Sequence, residues 1–393
     1  MAYPTLNQNK IFAALYNQII SIDTFADNIK GTYSTLVDKA RVDGGLYGDT
    51  KVYISTDVLK SAPWGNDAEA TNLLALHRPP APKTQTITLD LFRQICLTVD
   101  QYLTKQAFAT EGAFSQFNSA ILAWIRDTKK IYDSTTYNTF IGNTASSTGR
   151  QSLSIGISTI RGNASSEEEA NRLEAQGIAQ FLADLFVDME DVSRDFNDNE
   201  FLRSVSEEDI KVIWNSKFVN KIRKIDLPTI FHKDGLLDKF DEKVLPARYF
   251  GTVITSSNIS TYSASTPTTG KPINSTTHAY TPGTNHANGC LRSLYEVDVT
   301  VSGTAYHVFP GDEIPSGATV GASQQFDVDT VYIETTDVIC KVLVKLPPYM
   351  SAFEVGTSFF NPKSLTENHY LTFGHNTIEY LKNYPFITIK ADR

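Results

Sequence analysis

The chain has 393 residues and is 41% hydrophobic, enough to fill two or three packed units. Its 44 acidic and 35 basic residues leave a net charge of -9 with no run of like charge. This excludes generic electrostatic binding to nucleic acid, which needs clustered Lys and Arg to displace counterions from phosphates, and no apolar run approaches the roughly 20 residues that span a bilayer.

In chain order, residues 7–40 carry helical spacing. Ile11, Leu15, Ile19 and Ile22 are followed by Phe25, Ile29, Tyr33 and Leu36, which predicts one or two N-terminal helices. From Arg41 to Leu89 the character changes. Gly44-Gly45 punctuates, KVYISTDVL (51–59) and KTQTITLD (83–90) alternate, and Pro63 and the Pro79-Pro80-Ala81-Pro82 stretch break structure between them. These segments predict the arms of a long two-stranded excursion. So few apolar residues barely stabilise such a ribbon alone, so it is expected to lean on something else.

Leu91 to Gly142 reads as the most helical part, with Phe114, Phe117, Ile121, Trp124 and Ile131 as the stripe of a long helix and Gly142-Asn143 as its stop. Ser165-Ser166 before Glu167, Glu168 and Glu169 predicts another helix start. There the hydroxyls cap free N–H groups and the acids oppose the positive end of the dipole, and Ile178, Leu182, Leu185 and Met189 form the buried stripe. Ser206 with Glu207, Glu208 and Asp209 repeats the signal before IKVIWNSKFVNKI, where strand and helix both stay open. Residues 252–288 are mostly Ser, Thr, Asn, Gly and Pro with almost nothing to bury, and are expected to form an outward-facing loop. YEVDVTV, TAYHVF, FDVDTVYIE and VICKVLVKL predict short strands, with Pro310-Gly311-Asp312 as a turn. The closing stretch reads as helix-like over Thr377–Leu381 and as a strand over PFITIKA, and no repeat of fixed period runs through the chain.

No catalytic, cofactor-binding or metal-binding set emerges. Asp195, Asn197 and Asn199 resemble the first half of a calcium loop, but Glu200 stands where glycine makes the sharp turn and Ser206 where a bidentate glutamate belongs. Thr269-Gly270-Lys271-Pro272 has proline at the hydroxyl position of a phosphate loop. The histidines, at 77, 232, 278, 286, 307, 369 and 375, include no H-E-x-x-H. Ser158 lacks the second glycine of a nucleophile elbow and reads as strand or turn. Glu167-Glu168-Glu169 and Glu207-Glu208-Asp209 are explained by helix starts. Cys96, Cys290 and Cys340 are odd in number and far apart, which points to a reducing cytoplasm rather than a disulfide framework or zinc site. The N-terminus lacks the basic and apolar regions of a signal peptide.

Aromatic residues make up 11% of the chain, several of them in turn-rich contexts: Tyr47, Trp64, Tyr262, Tyr280, Tyr349 and Phe353. An exposed aromatic among polar neighbours anchors interfaces, so Tyr47, Tyr53, Trp64, Tyr349 and Phe353 are candidate inter-subunit contacts; ordinary local packing is the competing reading of each.

Taken in order, the chain resembles the tailed-phage major capsid proteins of the Hong Kong-type fold. GDTKVYISTDVL and KTQTITLDLF look like the arms of the extended loop, and EGAFSQFNSAILAWIRDTKKIYD looks like the spine helix of the peripheral domain. SEEDIKVIWNSKFVNKIRKID and LPTIFHKDGLL would lie in the axial domain, and VLVKLPPYMSAFEVGTSFFNPKSL is in the style of phage head proteins. The resemblance implies an α+β fold: an N-terminal helical arm (1–40), extended loop (41–90), peripheral domain (91–145), axial domain (146–251), β-rich insertion (252–345) and a C-terminal segment returning to the body (346–393). It implies a structural, non-enzymatic subunit that forms homo-oligomeric pentamers and hexamers and encloses double-stranded DNA without reading its sequence. Portal, scaffolding and decoration proteins are the implied partners, with no cofactor and no membrane. The implied location is the virion capsid, assembled in the host bacterial cytoplasm. No propeptide removal is expected, so the mature subunit should stay near 43.6 kDa, and no crosslinking pair is expected. Three readings compete: a nanocompartment shell of the same fold enclosing enzyme cargo, a β-rich binding or adhesion protein, and an enzyme whose site gathers scattered residues.

Overall fold

The computed structural model describes residues 35–45, 47–61, 78–100, 111–144, 151–219, 241–253, 259, 291–292, 297–308, 314–320, 332–334 and 337–392. Helix α1 (Thr35–Ala40) leads into strand β1 (Arg41–Asp43). Strands β2 (Thr50–Ser55) and β3 (Lys83–Thr88) make a ribbon, and β4 (Leu91–Asp100) precedes the long helix α2 (Glu111–Asn143). Next come β5 (Ser152–Ile155), α3 (Ile157–Gly162), α4 (Glu167–Glu190), β6 (Lys211–Asn215), β7 (Asp241–Leu245) and β8 (Gly251–Val253). The rest is strand: β9 (Leu291–Arg292), β10 (Val297–Val301), β11 (Thr304–Val308), β12 (Tyr332–Glu334), β13 (Val338–Leu343), β14 (Tyr349–Ser351), β15 (Val355–Asn361), β16 (Thr366–Thr377) and β17 (Phe386–Ala391). Two compact units result, one of residues 1–50, 88–135 and 349–377, the other of 51–87, 136–348 and 378–393; α2 is divided between them.

The first unit is organised by β16. Along one edge β4 pairs with it antiparallel from Leu91↔His375 to Asp100↔Thr366. Along the other edge β15 returns as a hairpin, while β14 pairs at the far end and carries β1 parallel beside it.

In the second unit a five-stranded sheet runs β5-β17-β13-β6-β7. Strand β13 sits at its centre, and VICKVL is buried on both faces, which is why it reads as an apolar run rather than an alternation. Helix α4 covers one face with Ile178, Leu182, Leu185, Phe186 and Met189, packed in one core with Val212, Trp214, Cys340, Val342, Ile387 and Ile389. Each such side chain contributes about 1.5–3 kcal/mol on burial. The helix starts where the sequence signals it. Ser166 accepts from the Glu169 N–H at 3.2 Å, and the Glu169 carboxylate reaches back to the Ser165 N–H at 2.9 Å, a reciprocal cap. Gly142 lies at the end of α2, where an added Cβ would stand 2.0 Å from the Tyr249 carbonyl oxygen, so only glycine admits that approach. A satellite core of Ile259, Val297, Val299, Val308, Ile314 and Ala318 holds the β10–β11 hairpin.

Several expectations are corrected. Leu91–Asp100 is strand, because Ile95, Leu97 and Val99 alternate and the ladder from β16 satisfies the backbone. Thr377–Leu381 is not helix; Thr377 ends β16, where it pairs with Tyr349 of β14. Ser158 lies in α3 rather than in a strand or turn. IKVIWN resolves as strand β6 after a single 3₁₀ turn at Glu207–Asp209. The buried line of α2 runs through Ile125, Lys129, Asp133, Tyr137 and Ile141, four residues apart, with Trp124 and Ile131 half-buried beside it. Residues 7–34, Trp64, Tyr262, Tyr280, Cys290, the side chains of Phe114, Phe117 and Ile121, the 220–240 segment, the Pro310 turn and most of 252–288 lie outside the described residues.

Candidate functional site

The ribbon has two unlike faces. Thr50 Oγ1 stands 3.2 Å from Thr88 Oγ1, and Ser55 Oγ donates to the Lys83 carbonyl at 3.5 Å. That register sets Val52 and Ile54 on one face with Thr84 and Thr86, and Tyr53 on the other with Gln85. Val52 and Ile54 are 53% and 67% exposed. The opposite face is fastened by polar groups to the second unit, of which it is part. Gln85 Nε2 donates to the Tyr380 carbonyl at 3.0 Å, and the Lys382 N–H donates to Gln85 Oε1 at 2.8 Å. Tyr53 is half-buried there, which raises its hydroxyl above the ordinary tyrosine value.

Just past β2 the fastening becomes charged. Asp57 accepts from Arg194 Nη1 at 2.7 Å and from the Leu202 and Val58 N–H groups at 3.0 and 2.9 Å. The Arg194 guanidinium, with the Leu202 and Val58 N–H groups adding to it and burial opposing, holds the Asp57 carboxyl below its usual range. Arg203 donates to the Thr56 carbonyl at 2.6 Å and to Asn383 at 2.9 Å, and Asn199 donates to Ser55 Oγ at 3.2 Å. Asn197 builds the loop that presents these groups, its amide exchanging hydrogen bonds of 2.8 and 2.7 Å with the Phe201 backbone while Glu200 turns through φ 55°. The stretch with partial calcium-loop spacing is thus a backbone clamp built around the buried Asn197.

The sheet of the first unit also has an open face. Register groups Gln94, Thr372 and Val355, then Cys96, Tyr370 and Thr357, then Thr98, Asn368 and Phe359. None of these is charged, and Val355 and Phe359 are 53% and 65% exposed. The other face packs on α2 through Tyr132 against Phe373, with the Arg93 guanidinium over the Tyr132 ring. Here a buried network forms. Asp133 accepts from Lys129 at 2.6 Å, Tyr349 at 2.9 Å and Arg41 at 3.3 Å. His375 stacks on Tyr349 with ring centres 5.2 Å apart, and its Nε2 is 2.9 Å from the Tyr132 hydroxyl. Burial, with Arg93 and Lys129 adding to it and Asp133 opposing, brings the His375 pKa down to about 4.

Among the described residues no group of three or more metal-ligating side chains converges, and no helix is long and apolar enough to cross a membrane. Burial pushes the Cys340 thiol up, away from the reactive thiolate form. Lys341 is buried in β13 with its amine donating to the Thr144 carbonyl and lying over the Phe386 ring; burial, then nearby Lys390, brings its pKa down to about 7.

Of the candidate contact residues, Tyr47 is 73% exposed in the turn before β2, its ring 5.4 Å from Phe92, and Phe353 is 68% exposed ahead of β15. Tyr53 lies on the inner face of the ribbon. Tyr349 is a correction: at 1% exposure its ring belongs to the His375 stack, so it serves the fold. Sequence reading missed Val355 and Phe359. Their place on one face with Thr357, alternating with Gly356 and Ser358, was available as a signal, but not which face stays open.

These elements, in the order ribbon, long helix, sheet-and-helix body and closing strands, make an α+β fold similar to that of solved phage capsid chains. Among solved structures, the chain is similar to one in the capsid structure of Staphylococcus phage Andhra, with a TM-score of 0.54 and 10% identity over 90% of this chain and 83% of that one. It is also similar to a chain in the structure of head fiber and inner core protein gp22 of native bacteriophage P68, with a TM-score of 0.53 and 10% identity over the same shares, 90% and 83%. No family model and no curated protein matches the chain.

Proposed function

We propose that this chain is a major capsid protein, a structural subunit that closes with copies of itself, as pentamers and hexamers, into an icosahedral shell around the double-stranded DNA of a tailed phage. The observation that carries the reading is the ribbon's outward face. A two-stranded element is marginal in water, and this one turns Val52 and Ile54 outward while holding its own body by polar bonds. A neighbouring copy that covers this face stabilises both subunits, and repetition around a closed ring multiplies the effect. The uncharged open face of the first unit supports the same reading, since it can be covered without stripping water from a charge. Tyr47 and Phe353, both exposed, are proposed as further contact residues. Portal, scaffolding and decoration proteins are the proposed partners, and the host cytoplasm the proposed place of assembly.

Electron microscopy of the purified chain, paired with sedimentation, tests the proposal. Closed shells or flat capsomer sheets are expected. A strictly monomeric species, even when co-expressed with a scaffold from a neighbouring gene, overturns it.

A further inference from the structure

We propose that Asp57 is a positioning residue: with Arg194 and Arg203 it locks the outgoing arm of the ribbon to the body of its own chain, aiming the ribbon before a second copy arrives. This rests on the shell-subunit reading and adds to it a lock internal to each subunit. Three observations support it. Asp57 joins the arm to the loop at two separate points, the Arg194 guanidinium and the Leu202 N–H. Arg203 grips the neighbouring Thr56 carbonyl and is itself held by Asn383. The apolar residues that follow, Val58 and Leu59, stay 49% and 72% exposed, so they add little packing to the directional, charge-assisted bonds that hold the arm.

Such a fastening fixes direction without using apolar surface. The bonds are short and geometrically demanding, so the arm has one preferred course, while Val52 and Ile54 remain free for a neighbour. An arm already ordered loses less conformational freedom when it docks, and docking is correspondingly tighter and more uniform in geometry.

The test uses the full chain with Asp57→Ala and Asp57→Asn, read by amide hydrogen exchange on the unassembled subunit and by electron microscopy of assembly. In Asp57→Ala, exchange at Leu202 and Lys382 is expected to speed up about tenfold to a hundredfold, with unchanged circular dichroism and a shift from closed shells to slow, irregular ones. Asp57→Asn keeps an oxygen for the Leu202 N–H but loses the ion pair, and should fall between. If Asp57→Ala does not fold, Arg194→Ala removes the exposed partner and is read in the same way. Unchanged exchange at both amides overturns the lock. Faster exchange with shells of wild-type rate and diameter overturns its part in assembly. If the wild-type chain forms no shells, the shell reading fails, and the exchange data still decide whether the lock exists.

Discussion

The two five-stranded sheets solve opposite problems. In the second unit, β13 and β17 are buried on both faces, and their side chains answer only to packing against α4 and its neighbours. In the first unit, β15 is exposed along nearly its whole length, and the sheet it edges is anchored on one side through Asp133 and His375. One sheet is finished when the chain folds. The other keeps an open face, which the shell proposal assigns to a neighbouring copy. In one chain, then, burial marks what folding uses, and exposed apolar residues mark what the proposed assembly would use.

The contrast can be broken by charge. Val342→Asp places an unpaired carboxylate at a fully buried position of β13 and is expected to remove more than about 3–5 kcal/mol of stability, seen as loss of a cooperative urea transition. Acid sharpens it. His375 is held near pKa 4, against about 6.5 in an unfolded chain. Unfolded chain therefore takes up a proton that the native state refuses. Stability is full above about pH 6.5 and declines until about pH 4, by up to about 3 kcal/mol. Urea midpoints measured across that window should fall, and His375→Gln should flatten the fall. Ser166→Ala removes the cap of α4 and should lower stability by about 1 kcal/mol in the same assay. The smallest effect on folding is the most telling. Phe359→Asp on the open face should change stability by less than about 0.5 kcal/mol and yet block shells in the electron microscope; shells of normal yield would show that this face stays uncovered.

Much of the fold was legible where the signal is local. The Ser166 cap, the α4 stripe, the ribbon arms and the terminal strand each follow from residues a few positions apart. Leu91–Asp100 was not, because Leu91, Ile95 and Val99 fit a helix as well as a strand, and the deciding partner, Thr366–His375, lies far along the chain. The end of β16 at Thr377 was hidden by a nearer partner, Tyr349 of β14, which still lies outside any local window. Tyr349 looked like a surface aromatic beside Pro347 and Pro348 until the stack on His375 and the bond to Asp133 placed it inside. Phe359 was hidden for the opposite reason: an apolar alternation shows that a strand has two faces, not which one the chain leaves bare. The ribbon's polar fastening escaped because Asp57, Arg194 and Arg203 look like ordinary surface charges when read one at a time.

Lys341 has a practical consequence. Shut inside β13, its amine is out of reach of acylating reagents, and its hydrogen bond to the Thr144 carbonyl holds it there. When the strand opens to water the amine becomes available, and once acylated it can no longer return as a cation to that bond. In the presence of such a reagent, the first opening of a chain therefore leaves a permanent chemical mark at one known position. The acylated fraction then reports how many chains have come apart at the core, readable by mass spectrometry long after the event.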